Sequence, residues 1–263
     1  MGKIDFGDIV KKNVLKFKDN KELEKYYEKK WEKEGYKRGV KVNGINISNI
    51  FQKEREKSAF KFLNPKKSDV ILDAGCGKGK LAIKISKKCK KIYGVDITKN
   101  AFSKASKKSS KNIIFKKMNI EELKFRNNTF DKIVCVEALE HVINPKRVIK
   151  EFSRVLKKKG KLVLTYPTLN TNYSARASNF IGIRKDLKIS EHLNEFSYNE
   201  LILEFKKRGF KFVKSEGVVL NLSKFERLMR ISKNTTKKMI KFMVSIKKLP
   251  RFSSNVTLEF EKN

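Results

Sequence analysis

The run from Val70 to Gly79, VILDAGCGKG, constrains this chain more than any other stretch. Three apolar residues end in Asp73, and Gly75, Gly77 and Gly79 follow within six positions. The segment from Leu81 to Ser86 then reads as the start of a helix. A buried strand, a glycine-rich turn and a helix start make a nucleotide-type binding loop. The glycines permit positive φ and let a ligand approach the backbone closely.

Asp73 decides which ligand. A dinucleotide places its pyrophosphate on the helix N-terminus, where the dipole and free N–H groups favour anions. A carboxylate at the mouth of the turn repels a pyrophosphate and suits a cationic amino group. The spacing is also G-x-G-x-G rather than the dinucleotide fingerprint G-x-G-x-x-G. The sequence therefore favours a nucleoside that carries positive charge and no phosphate. S-adenosylmethionine, with an ammonium and a sulfonium, fits.

Further strands follow in the order such a fold requires. Lys91 to Val95 forms a second, ended by Asp96. Asp96 lies 23 residues beyond Asp73, close to the offset of about 20 at which an acid hydrogen-bonds a ribose. Ile113 to Phe115 is a short third strand, with Asn119 after it. Phe130 to Val136 is a fourth, with a continuous apolar run, Ile133 to Val136, suited to a sheet covered on both faces. Lys161 to Tyr166 is a fifth, set up by a Lys-rich turn at 157–160. Helical patterns separate these strands, as in right-handed βαβ units.

These motifs together resemble the class I S-adenosylmethionine-dependent methyltransferases, in the broad group that includes the quinone-biosynthesis enzymes. They are ILDAGCGKG at 71–79, GVDI at 94–97, NTFD at 128–131, VEALEHV at 136–142 and GKLVL at 160–164. The resemblance covers residues 55–217 and the C-terminal strand. It implies an α/β fold, Rossmann-like, with a seven-stranded, mostly parallel sheet, helices on both faces and an antiparallel C-terminal edge. It further implies that Asp73 and the Gly75 backbone face the methionine amino group and that Asp96 takes the ribose hydroxyls. Ile97 packs on one face of the adenine, with Met118 or Ile120 near the other. Cys76, Gly77 and Gly79 complete the loop, and Glu137 shapes the pocket. Asn119 stands where the family usually has Asp, and its amide oxygen can still accept from the adenine amine.

The net charge of +36 suits a nucleic acid, an anionic membrane or an acidic partner. Yet 53 of the 64 basic residues are Lys and 11 are Arg, spread along the whole chain. Nucleic-acid sites favour Arg interleaved with aromatics. The charge therefore reads as compositional bias. Cys76, Cys89 and Cys135 show no metal or disulfide spacing, which fits a reducing, cytoplasmic setting. No apolar run reaches the roughly 18 residues needed to span a bilayer, and Met1 to Phe6 shows no signal-peptide core.

Residues 1–54 read as a helical preface or lid before a methyltransferase domain at 55–263. In the preface Leu23, Tyr27 and Trp31 recur at i, i+4 and i+8 as one stripe. A polar stretch at 167–198, with Asn170, Asn172, Tyr173, Arg176 and Arg184, leaves the ligand edge of the sheet and reads as the substrate loop. Ser197 and Glu200 form a capping-box pattern for a helix running to Gly209. Phe210 to Val213 and Asn255 to Phe260 are the last two strands. Between them a basic amphipathic insert at 218–250 reads as core or partner packing, with peripheral membrane contact as the alternative.

Methyl transfer to oxygen also needs a proton removed, and the chain has only two histidines. His141 follows the fourth strand and His192 follows the long loop. Both belong at the open edge of the sheet, and with Glu140 they are the catalytic candidates. Glu137, Glu140 and His141 stand at i, i+3 and i+4, one face if the segment is helical. With His192 they could hold a divalent cation, which the reading does not favour. The expected function is methylation of a small-molecule or lipid-precursor acceptor, at oxygen. The alternative is an RNA-modifying enzyme, including metal-assisted 2′-O-methylation.

Overall fold

The computed structural model describes residues 15–34, 41–42, 45–107, 110–167, 192–220 and 253–263, with isolated positions between 234 and 250. The substrate stretch at 168–191, with Asn170, Asn172, Tyr173, Arg176 and Arg184, lies outside the described residues, as does most of the 218–250 insert.

Helix α1 (Asn20–Glu34) precedes a two-residue ribbon, β1 (Lys41–Val42) with β2 (Ile45–Asn46), and then α2 (Ile47–Leu63). The body follows as β3 (Val70–Ala74), α3 (Lys80–Ser86), β4 (Lys91–Asp96), α4 (Lys99–Ser106), β5 (Ile113–Lys117) and β6 (Phe130–Val136). It continues through α5 (Pro145–Val155), β7 (Leu156–Pro167), α6 (Tyr198–Lys206), β8 (Phe210–Leu220) and β9 (Ser253–Lys262).

The seven long strands form one sheet in the order β5-β4-β3-β6-β7-β9-β8. The first five are parallel, and β9 runs antiparallel to both neighbours. This is the expected Rossmann-like sheet with an antiparallel C-terminal edge.

The central strands read as unbroken apolar runs because both faces are covered. Alternate residues go to opposite sides. Leu72, Ile133 and Leu164 point toward Phe152 and Phe205 on α5 and α6. Ile71, Val134 and Val163 point toward Ala59 and Ile85 on α2 and α3. Burying each such side chain contributes about 1.5–3 kcal/mol.

Local signals set the helix ends. The Asn46 side chain accepts the Asn49 N–H at the start of α2. Asn144 caps α5, with Pro145 just inside it. Ser197 and Glu200 form the expected capping box on α6.

Several boundaries differ from the sequence reading; α6 ends at Lys206 and β9 spans Ser253–Lys262. The Lys-rich stretch at 157–160 is a bulged part of β7 rather than a separate turn, with Lys159 at φ 60°. Strand β8 runs on to Leu220, so the insert starts after that residue. The segment after β6 is not α-helical: Glu137 has φ 51° and only Leu139–His141 forms a 3-10 turn.

Candidate active site

Strand order reverses between β3 and β6, and the crevice at such a point is where open α/β sheets bind ligands. A cavity of about 980 Å³ opens there. Its floor is built by the ends of β3, β4 and β6, and α1 and α2 supply its walls.

The glycine turn is shaped for close approach. Gly75 has φ 75°, and a Cβ there would stand 2.4 Å from Ala138 Cβ, so only glycine lets the β3 and β6 turns touch. Gly77 has φ 48° and open space where a side chain would be. The N–H groups of Gly75 and Cys76 both donate to Val95 O at 2.9 Å. Gly79 is absent from the cavity lining; it starts α3 at φ 67°, with the Phe115 ring 2.6 Å from where a Cβ would stand.

Asp73 and Asp96 both line the cavity. Asp73 is 2% exposed, and its Oδ2 has no hydrogen-bond partner among the described residues. Burial, then the nearby Glu56 and Asp96 charges, push its pKa up to about 8. A buried carboxylate oxygen with no donor is costly unless a cation arrives, so the site fits an ammonium. Asp96 accepts from Gly77 N at 2.9 Å and Thr98 N at 3.2 Å. Burial raises its pKa to about 6 against the lowering effect of those bonds.

Ile97, Asn119 and Ile120 line the same cavity. Asn119 Oδ1 already accepts the Glu121 N–H at 2.9 Å, closing a turn after β5. Met118 is absent from the lining. It packs against the core, and its sulfur accepts from Lys124 N. Of the two residues expected near the second adenine face, only Ile120 is on the cavity. Cys76 lines it with a thiol that burial holds well above its usual range, so it is not a nucleophile.

Sequence reasoning missed Arg55. It reaches the cavity from α2 with its side chain 16% exposed. Its guanidinium lies 3.4 Å from Glu137 Oε2 and from Asn255 Oδ1, and its Nε has no partner among the described residues. Glu137 also accepts from Asn255 Nδ2 at 2.8 Å and from the Thr165 hydroxyl at 3.1 Å. A partly buried cation with a spare donor suits a carboxylate. Asp73 and Arg55 line the same cavity.

The two histidines meet at one end of the cavity. Their ring centroids are 5.2 Å apart, edge to face, and both line the wall. Tyr27 of α1 stands edge-on to His141 at 6.1 Å. Glu140 is fully buried behind them, with Oε1 3.7 Å from His141 Nε2. Glu140, His141 and His192 each offer one ligand atom within 4.8 Å of the others. Glu137 is not part of this group, because its positive φ turns it toward Arg55 instead.

Comparison with known proteins agrees with this geometry. Residues 72–164, from the glycine turn through β7, match the methyltransferase domain family. The uncharacterized protein MJ0638 of Methanocaldococcus jannaschii is 32% identical over 202 residues, covering 75% of this chain and 79% of that one. A ubiquinone biosynthesis O-methyltransferase of Coxiella burnetii is 34% identical over 43% of this chain, which spans about half (48%) of that enzyme. The crystal structure of YcgJ from Bacillus subtilis shares the fold at a TM-score of 0.56 and 19% identity, over 80% of this chain and 99% of that one. The family match spans the segment that builds the cavity floor, where the Asp73 oxygen has no partner among the described residues. The chain belongs to the class I S-adenosylmethionine-dependent methyltransferases, and S-adenosylmethionine is its cofactor.

Proposed function

We propose that this enzyme methylates an oxygen of a small molecule or lipid precursor, held at the histidine end of the cavity. The pairing of His141 with His192 beside the cofactor residues carries this reading. In it, Asp73 and the Gly75 carbonyl hold the amino group, Arg55 the carboxylate and Asp96 the ribose. Ile97 and Ile120 flank the base, with Asn119 at its edge. When bound, the cofactor supplies a methyl group activated on a sulfonium.

The chain's own work is alignment, exclusion of water and proton transfer. His141 takes the proton of the acceptor hydroxyl, and the Glu140 carboxylate, 3.7 Å from Nε2, stabilises the imidazolium that forms. His192 orients the acceptor.

Helix α1 acts as the lid, with residues 1–54 as a preface to the domain. Leu23, Tyr27 and Trp31 face the cavity. The other side of α1 is tied down where Lys117 bonds Glu24 at 2.7 Å and Asn100 bonds Glu28 at 2.7 Å. In the same reading the 167–198 stretch selects the acceptor.

The test is label transfer. Purified enzyme and methyl-labelled S-adenosylmethionine are mixed with either the organic-soluble metabolites or the total RNA of cells that carry the gene. Label should enter the metabolite fraction, and His141→Ala should cut it by about 100-fold, the lower range for a general base. Label confined to RNA would overturn the reading in favour of an RNA-modifying enzyme.

The donor set at Glu140, His141 and His192 favours a second reading in which a divalent cation positions the acceptor oxygen. Activity should then disappear with a chelator and return with Mg²⁺ or Mn²⁺.

A further inference from the structure

His141 and His192 lie on opposite sides of residues 168–191, yet they form one wall. A set of hydrogen bonds explains how. Leu193 N and Asn194 N both donate to Glu140 O, at 2.8 and 3.2 Å. The Asn194 side-chain amide donates to Val142 O. The segment after His192 is therefore bonded on both sides of His141. Tyr166, the penultimate residue of β7, is 1% exposed and closes the arrangement. Its hydroxyl donates to Asn194 O at 2.9 Å and accepts the Phe196 N–H at 3.1 Å. Burial holds this phenol far above its usual range, so it remains a donor at any physiological pH.

We propose that Tyr166 and Asn194 are positioning residues, a clasp that sets His192 against His141. The proposal rests on the reading of both histidines as acceptor-side groups, but its geometry does not depend on which acceptor is used. Asn194 is two residues from His192, so few rotatable bonds separate the anchor from the ring. Tyr166 comes just before the 168–191 segment, and Asn194 just after it. Tyr166 and Asn194 touch neither reacting group. They act through the backbone that carries His141 and His192.

The experiment exploits the histidine count of two. Imidazole proton NMR of the full chain gives two sets of signals, and the edge-to-face pair should show a ring-to-ring cross-peak. Tyr166→Phe keeps the buried ring and removes only the hydroxyl. Asn194→Ala removes the side-chain bond to Val142 O. In each variant the cross-peak should weaken at least several-fold. Affinity for S-adenosylmethionine, read by calorimetry, should stay within twofold, because neither residue lines the cofactor end. A cross-peak of full strength in both variants would overturn the clasp. So would a fall in cofactor affinity as large as the loss of the cross-peak, since that marks general loss of structure. Separately, if His141→Ala methylates as fast as the parent enzyme, the acceptor reading fails while the clasp stands.

Discussion

Asp96 holds the Gly77 N–H through Oδ2 at 2.9 Å, so the acid that ends β4 fixes the turn that follows β3. Asp96 and the glycine loop are therefore one unit before any ligand arrives. Asp96→Ala should remove a ligand contact and loosen the loop together. Affinity for S-adenosylmethionine should drop by about 1–3 kcal/mol, the worth of a charge-assisted hydrogen bond. Calorimetry showing undiminished affinity would refute the assignment of Asp96 to the ribose.

Asp73 gives a pH dependence with a definite sign. Its pKa in the folded protein is raised from 3.8 to about 8. The native state therefore binds the proton more tightly than the unfolded chain. In the ligand-free protein the contribution of Asp73 to stability should fall as pH rises from 4 to 8, seen as a difference between the parent and Asp73→Asn. Pairing with an ammonium requires the charged carboxylate, so affinity for S-adenosylmethionine should rise from pH 6 to pH 8. Near pH 7, binding should release about one proton, read as a dependence of the calorimetric heat on buffer ionisation enthalpy. Asp73→Asn should abolish that release, raise the melting temperature at pH 8 and weaken cofactor binding. An unchanged heat across buffers in the parent protein would contradict this.

Arg55 is expected to hold the cofactor carboxylate. Arg55→Met keeps much of the aliphatic stem and deletes the charge. Affinity should fall by about 1.5–3 kcal/mol, the range for hydrogen bonds to charged groups. The same substitution leaves Glu137 without its cation. Unchanged affinity would leave Arg55 as a purely structural partner of Glu137.

Phe115 fills the space behind the glycine loop. A Cβ on Gly94 would stand 2.7 Å from its ring and 3.2 Å from Cys76 Sγ. Gly94→Ala should destabilise the fold by about 1–3 kcal/mol through overpacking, measured by denaturant titration. Phe115→Leu should cost stability alone but recover part of the loss in the double variant. Additive losses would show that the ring is not the obstacle.

The sequence could be read well wherever a residue's own neighbours decide its state. Strand β6 has the predicted bounds because its apolar run contains no glycine or proline. The capping box at Ser197 is likewise local. Long-range geometry hid the rest. Glu137, Glu140 and His141 have helical spacing, yet Glu137 adopts positive φ, which turns it toward Arg55 and Asn255. Nothing near residue 55 signals that role, since it depends on α2 crossing the end of a sheet completed by residue 255. Met118 and Ile120 are two apart and equally apolar, and only the tertiary packing separates them. The Phe115 ring beside Gly79 is likewise set by the fold, since glycines that admit a ligand and glycines that admit a neighbouring ring share one letter.

The position of β9 between β7 and β8 sets the timing of assembly. Strand β8 pairs with β9 along its length and not with β7. During synthesis the ribosome makes β8 before the strand it must pair with. Until residues 253–262 emerge, β7 and β8 have exposed edges facing an empty lane, the kind of edge that invites pairing with other chains. Asn255, which bonds Glu137 and Arg55 in the cavity wall, arrives in that same late strand. The nascent enzyme would thus gain its full cofactor wall only at the step that closes the sheet.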